Sequence, residues 1–115
     1  MESPAFFRAL SDETRLRCVA LLQAEGQLCV CELTYALGME QPKVSRHLAQ
    51  LRQAGVVEPR RCGTWIHYRL HPELPPWAQA VIAAWTDGCA GSPPFSDDRR
   101  ALHAMPNRPE AARCA

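Results

Sequence analysis

A mainly helical fold carrying one small β-hairpin, with its elements in the order α-α-α-α-β-β-α, is what this 115-residue sequence predicts. Three observations predict it. Apolar residues recur at helical spacing in four stretches before residue 55 and once more after residue 75, glycines punctuate those stretches, and a single alternating segment stands between them. A chain of this length buries enough surface to fold without disulfides or a structural metal. The expected organisation is one domain over residues 1–89 and a flexible tail over residues 90–115.

Pro4 to Leu10 sets Phe6, Phe7 and Leu10 on nearly one helical face, more apolar surface than a lone short helix can bury internally. Ser11 and Asp12 are N-cap types, and acidic Asp12 and Glu13 suit a positive helix start. Leu16, Val19 and Ala20 then recur at helical spacing until Gly26. Cys29 to Leu37 reads as a short third helix, stopped by Gly38, whose missing Cβ suits a left-handed end. In the fourth, Pro42 is tolerated because its absent N–H had no partner at the helix start, and Val44, Leu48 and Leu51 recur until Gly55.

Two short helices joined by a tight glycine-containing turn make a helix-turn-helix. Opposite the apolar stripe of the second one, Lys43, Arg46, His47 and Gln50 fall at i, i+3, i+4 and i+7, with Gln41 and Ser45 near the helix start. Lys and Arg suit phosphates or guanine edges, and Gln can pair with adenine. An ordinary solvated face is the alternative. The formal net charge of +1 is silent here, but residues 41–70 hold Lys43, Arg46, Arg52, Arg60, Arg61 and Arg69 against Glu58 alone, the local excess a phosphate backbone needs. A double-stranded DNA partner is therefore expected.

After Gly55 the chain reads as extended. Val56 and Val57 begin it, Arg60-Arg61-Cys62-Gly63 is read as the turn, and Thr64, Ile66, Tyr68 and Leu70 alternate with Trp65, His67 and Arg69. A hairpin directly behind a helix-turn-helix is a wing, placed to lay Arg60 and Arg61 along flanking phosphates or into a minor groove. The expected architecture is thus a winged helix-turn-helix.

The last helix carries Trp77, Ala78, Val81, Ile82, Ala84 and Trp85, apolar around most of its circumference, so it needs cover on more than one side. A second subunit is the economical cover. Phe6, Phe7 and Leu10 with Trp77, Val81, Ile82 and Trp85 form the expected homodimer interface, a monomer core being the alternative. Prolines 93, 94, 106 and 109 among polar residues give the reading of a mobile tail.

Six cysteines, at 18, 29, 31, 62, 89 and 114, are spaced irregularly for a disulfide framework. No basic leader precedes an apolar run and no stretch nears the roughly 18 apolar residues of a membrane span, so a cytoplasmic protein with reduced thiols and no membrane partner is expected. Cys18 reads as a packed apolar residue and Cys62 as exposed and unbound. The pair Cys29 and Cys31 precedes, or opens, the third helix. Residues two apart on an ideal helix point about 200° from each other, so two sulfurs there cannot grip one ion without distortion. An ion bridging them is expected to hold the turn in a non-helical form and displace the reading helix, which packs on it through Leu33 and Leu37. Thiolates select soft ions. On chemistry alone, sensing and packing stand even. A thiol enzyme is disfavoured because no histidine or carboxylate constellation surrounds the pair in sequence, no glycine-rich phosphate loop appears, and Cys-Val-Cys lacks the Cys-x-x-Cys redox spacing. Oxidation of either thiol in place of ion capture stays open.

The run Leu28-Cys29-Val30-Cys31-Glu32-Leu33, followed by Gln41-Pro42-Lys43-Val44-Ser45-Arg46-His47-Leu48 and by Gly63-Thr64-Trp65-Ile66-His67-Tyr68-Arg69-Leu70, resembles the arsenical-resistance repressors of the ArsR/SmtB group over residues 6–88. The resemblance implies a homodimer that represses a detoxification operon and is released by arsenite or antimonite, with Cys29 and Cys31 as inducer ligands and Gln41 to Ala54 as the reading helix. Many members carry a third cysteine where this chain has Thr34. Either two thiolates suffice, with water or a small cellular thiol completing the shell, or Cys18, Cys89 or Cys114 contributes the third ligand. The zinc-sensing branch places carboxylates and histidines on the last helix, where this chain has only Asp87. The cadmium- and lead-sensing branch adds N-terminal cysteines, and the first seventeen residues here contain none. Arsenite is thereby favoured over cadmium or lead.

Overall fold

The computed structural model describes residues 1–109. The helix order begins with α1 (Ser3–Leu10) and α2 (Glu13–Glu25). Asp12 caps α2 as its sequence suggests, its Oδ1 accepting the Arg15 N–H at 3.1 Å. Burial raises the Asp12 carboxyl, but the Arg15 hydrogen bond and the His47 and Arg15 charges outweigh it and hold the group below its ordinary value.

A short strand that the periodicity did not announce follows: β1 (Gln27–Cys29), leading without a loop into α3 (Val30–Leu37). Three residues are too few to show an alternation. Gly38 closes α3 in the left-handed region at φ 65°, where a Cβ would be strained, and its N–H reaches the Thr34 and Tyr35 carbonyls. Then comes α4 (Gln41–Gln53), whose Val44, Leu48 and Leu51 are wholly buried. Apolar stripes on α2, α3 and α4 meet in one core containing Leu21, Leu22, Leu33 and Leu48.

The wing is β2 (Val57–Cys62) and β3 (Trp65–Leu70). Its turn is shorter than expected: Cys62 pairs with Trp65, leaving Gly63 and Thr64 as a two-residue connection with Gly63 at φ 64°, so Arg60 and Arg61 lie within β2 rather than in the turn. The sheet order β1-β3-β2 makes β3 central, and the expected two-stranded hairpin becomes a three-stranded antiparallel sheet. In its β1–β3 register Cys29 stands directly opposite His67. This places the start of α3 against the middle of the wing.

Helix α5 (Pro76–Cys89) buries Ala78 and Ile82. The expectation of a mobile tail after residue 90 is corrected by α6 (Phe95–His103), which packs against α2 and α3. Polar composition concealed the anchors. Leu102 is fully buried, Phe95 meets Trp85 edge-on at 5.3 Å, and Asp98 grips Arg17 with both carboxylate oxygens, at 2.8 and 2.7 Å. Farther on, Arg108 reaches Glu32 at 2.6 Å and Glu25 at 3.2 Å, while His103 contacts Glu25 at 3.0 Å.

Burial raises Glu25, but its hydrogen bonds to His103 and Arg108 outweigh that and pull it below its ordinary 4.5. A carboxylate depressed in the folded state contributes stability that is present above its unfolded value and is lost as pH falls through the folded one. The hold of α6 on α2 is therefore expected to weaken below about pH 4.5. Fluorescence of Trp85, read in a Trp65→Phe, Trp77→Phe background, checks this. An unchanged signal down to global acid unfolding opposes it.

Candidate nucleic-acid interface and thiol site

The face of α4 opposite the core carries the residues the spacing selected, but they are not equivalent. Gln41, Lys43, Ser45, Arg46 and Gln50 are exposed and His47 is half-buried. The side chains of Lys43, Ser45 and Arg46 make no hydrogen bond or ion pair among the described residues, which leaves them available to a ligand. His47 and Gln50 are engaged: the Arg15 guanidinium donates to the Gln50 side-chain oxygen at 2.7 Å and lies 3.3 Å from His47 Nδ1. Sequence reasoning missed Arg15. Its only signal was a cation on the outer face of α2, and the tie spans 35 residues. Arg15 also donates to the Ala9 carbonyl at 2.6 Å, so it fastens the end of α1 to the reading face. On the wing Arg61 is exposed and Arg60 half-buried.

Cys29 and Cys31 require two corrections. They were expected as separate thiols, and on an unbroken helix they would diverge. Cys29, however, is the N-cap of α3 with extended backbone, φ −77° and ψ 162°, while Cys31 stands in the first helical turn. Their Cα atoms are 5.4 Å apart and the two sulfurs are joined in a disulfide. The sulfurs therefore converge while α3 stays helical, and distortion of this helix is not a requirement for gripping one ion. The Glu32 side chain holds the arrangement by accepting the Cys29 N–H at 3.0 Å. An acidic residue three places after an N-cap was the legible signal for that contact.

Beside the pair opens a cavity of about 620 Å³, which Cys29, Cys31 and Thr34 share with Gln41 at the start of α4 and with Trp65 and Ile66 of the wing. Trp65 and Ile66 are half-exposed, and Tyr35 and Met105 complete an apolar wall. Whatever occupies the sulfurs thus borders both the helix and the hairpin that carry the cationic residues. Thr34 commits its hydroxyl proton to the Val30 carbonyl at 2.7 Å.

None of the expected third cysteines lines this cavity among the described residues. Cys18 is fully buried in the core, and its burial pushes the thiol up to about 12, which disfavours the thiolate a metal needs. Cys89 borders a different cavity with Phe95 and Arg99. Cys114 lies outside the described residues. Cys62, expected exposed and unbound, is half-buried and not a free thiol.

Of the expected interface residues, Phe6, Leu10 and Ile82 are already covered within the chain, because α1 and α5 pack on their own core. Phe7 and Trp77 are exposed, with ring centroids 6.3 Å apart, and Val81 and Trp85 are half-covered.

A helix-turn-helix with a hairpin wing and exposed cations on its second helix is the architecture of a DNA-binding regulator. Residues 12–58 match the family described as bacterial regulatory protein, arsR family. The arsenic resistance transcriptional regulator ArsR1 of Pseudomonas putida is 49% identical over 94% of this chain and 83% of its own length. The arsenical resistance operon repressor of Escherichia coli K12 is 54% identical over 69% of this chain and 68% of its own. Among solved structures, the transcriptional repressor BigR from Xylella fastidiosa aligns at TM-score 0.64 with 39% identity, covering 76% of this chain and 83% of that one. The antimony-specific repressor AntR aligns at 0.61 with 31% identity, covering 75% of each chain. The chain belongs to the ArsR family of transcriptional regulators.

Proposed function

We propose that this chain is a homodimeric repressor that holds operator DNA through α4 and the wing and lets go when arsenite or antimonite is captured by the reduced sulfurs of Cys29 and Cys31. The observation that carries the reading is the shared cavity, in which the sulfur pair, the first residue of α4 and the wing's Trp65 and Ile66 border one space. Kinship to arsenic-resistance regulators over most of the chain supports the inducer class. The described residues contain no helix long and apolar enough to cross a membrane.

In this reading, two reading helices related by the dimer axis enter successive major grooves, so the operator is an imperfect palindrome. Lys43, Ser45 and Arg46 meet DNA first, with Gln41, His47, Gln50, Arg60 and Arg61 around them. Arg15 must release Gln50 before that side chain can read a base. The exposed Phe7 and Trp77, flanked by Val81 and Trp85, supply the dimer face. Arsenite binds as a bis-thiolate: each reduced sulfur forms one As–S bond as one arsenite hydroxyl leaves with the thiol proton as water, and the cavity beyond Thr34 accommodates the hydroxyl that remains on arsenic. A mobility-shift titration on DNA upstream of the protein's own gene, with arsenite, antimonite, cadmium, lead and zinc added in turn under reducing conditions, tests this. Release by the two metalloids at the lowest concentrations is expected, and retention of the complex at saturating arsenite contradicts the reading. Arg46→Ala should weaken operator binding by about 1 to 3 kcal/mol, roughly 5- to 150-fold, and leave arsenite uptake unchanged. Fluorescence anisotropy on labelled operator checks it.

The disulfide favours a second reading, in which oxidation of the same pair releases DNA. Comparing peroxide with arsenite, each under controlled thiol conditions, separates the two.

A further inference from the structure

Arg15 stands where α1, α2 and α4 meet, and its contacts divide into an anchored set and an exchangeable one. On the anchored side, Nε donates to the Ala9 carbonyl at 2.6 Å and one terminal nitrogen reaches the Arg8 carbonyl at 3.4 Å, which fixes the guanidinium to the last turn of α1. On the other side, the second terminal nitrogen donates to the Gln50 side-chain oxygen at 2.7 Å and lies 3.3 Å from His47 Nδ1. His47 is half-buried, and its Nδ1 also lies 3.7 Å from the Asp12 carboxylate at the start of α2. Gln50 is exposed on the reading face. Of the two α4 side chains on the guanidinium, Gln50 is therefore the one able to swing away.

Two demands compete at this contact. A glutamine amide pairs with an adenine edge through both its oxygen and its nitrogen, and here the oxygen is taken. A guanidinium carries five N–H donors and accepts nothing, so releasing Gln50 leaves a cationic donor unpaired beside the reading face. A phosphate oxygen is the strongest acceptor a duplex can offer it, and the planar fork of arginine suits that group. A helix about 10 to 12 Å across nearly fills a major groove about 12 Å wide, so a phosphate strand runs along each of its flanks. Arg15 reaches α4 from a neighbouring helix and so meets a flank rather than the base edges.

We propose that Arg15 is a DNA-contacting, specificity-determining residue: its guanidinium holds Gln50 by the amide oxygen in the free protein and passes to a backbone phosphate when Gln50 turns to a base. The proposal rests on the preceding reading in taking α4 as the element that enters the groove. No proton moves and no covalent bond changes. One hydrogen bond to a neutral amide is exchanged for a charge-assisted one to phosphate, and the freed amide pairs with the base. The two contacts are thereby joined: on a base pair that suits Gln50 both form, and on one that does not, Gln50 stays on Arg15 and neither forms. Phosphate contacts ordinarily position a protein without carrying sequence information. This one would depend on the base that Gln50 meets.

The salt dependence of binding tests the exchange, because the slope of log K against log salt concentration steepens by about 0.9 for each phosphate neutralised. Fluorescence anisotropy of the full reduced chain is measured on DNA upstream of its own gene and on variants with one base pair changed symmetrically in both half-sites. The pair at which Gln50→Ala loses discrimination is the pair Gln50 reads. Changing it should make the wild-type slope shallower by about 1.8, one phosphate contact in each half-site. Gln50→Ala frees Arg15 on any sequence, so both DNAs should give the steep slope. Arg15→Met has no cation to pass on, so both should give the shallow one. Should Arg15→Met fail to bind DNA, the wild-type and Gln50→Ala slopes decide. Equal wild-type slopes on the two DNAs, or discrimination unaltered at every pair in Gln50→Ala, overturn the proposal. A wild-type protein that binds no operator rejects the repressor reading and the exchange with it, whereas specific binding with equal slopes rejects the exchange alone.

Discussion

Replacing Cys29 and Cys31 together by serine is expected to leave operator binding intact and to abolish its release by arsenite. A serine hydroxyl is isosteric enough for the N-cap position and is itself a favoured cap, so α3 should keep its start and Glu32 its contact with the residue 29 N–H. What disappears is the soft donor pair, because neither hydroxyl ionises near neutral pH. If arsenite normally weakens the operator complex by a typical coupling of about 1 to 3 kcal/mol, the wild-type affinity falls roughly 5- to 150-fold and the variant's not at all. Anisotropy titrations of both proteins with and without arsenite give the two factors directly. Equal release from both would remove these sulfurs from the mechanism.

The largest effect on stability is expected at Asp98. Its carboxylate is 4% exposed and holds the Arg17 guanidinium through two hydrogen bonds, the first cause of that guanidinium's raised pKa. Asp98→Ala would leave a largely buried cation with only the Leu37 carbonyl, 3.2 Å away. Removing one partner of a buried pair costs about 3 to 5 kcal/mol, most of it from the charge left behind. Against the roughly 5 to 15 kcal/mol that keeps a domain folded, that is a large fraction. Urea unfolding should show the midpoint fall with an unchanged slope. The double change Arg17→Met, Asp98→Leu should recover most of the loss, since it removes both charges. A stable Asp98→Ala protein would mean that the pair contributes little and that Leu102, Phe95 and the His103–Glu25 contact suffice to hold α6.

The same contacts show what the sequence could and could not disclose. Long stripes such as Val44, Leu48 and Leu51 announced α4, and Gly38 announced the end of α3, because one short-range rule governs each. That Lys43, Arg46, His47 and Gln50 share the face of α4 opposite the core was legible for the same reason: they are close in sequence. Everything that joins distant segments was hidden. Arg15 on Gln50, Asp98 on Arg17, Arg108 on Glu32 and His67 across from Cys29 each depend on a fold already assembled. The expected tail became α6 because four anchors among polar residues outweigh a disordered composition. The sulfur geometry failed as an expectation at a single residue. Assigning Cys29 to the helix made the pair diverge, whereas its extended backbone at the end of β1 makes the sulfurs meet.

That relocation changes how release must work. With α3 able to stay helical, the proposed capture would act on the space between α4 and the wing, with α3 held in place by its contacts to α6 and by Arg108 on Glu32.

If the inducer and the operator compete through this junction, linkage demands that each weaken the other by one common factor. Arsenite affinity measured on the reduced protein, free and operator-bound, should therefore fall on DNA by the same ratio as operator affinity falls on arsenite. Identical arsenite affinity in the two states would show that the sulfurs and the reading helix are not coupled.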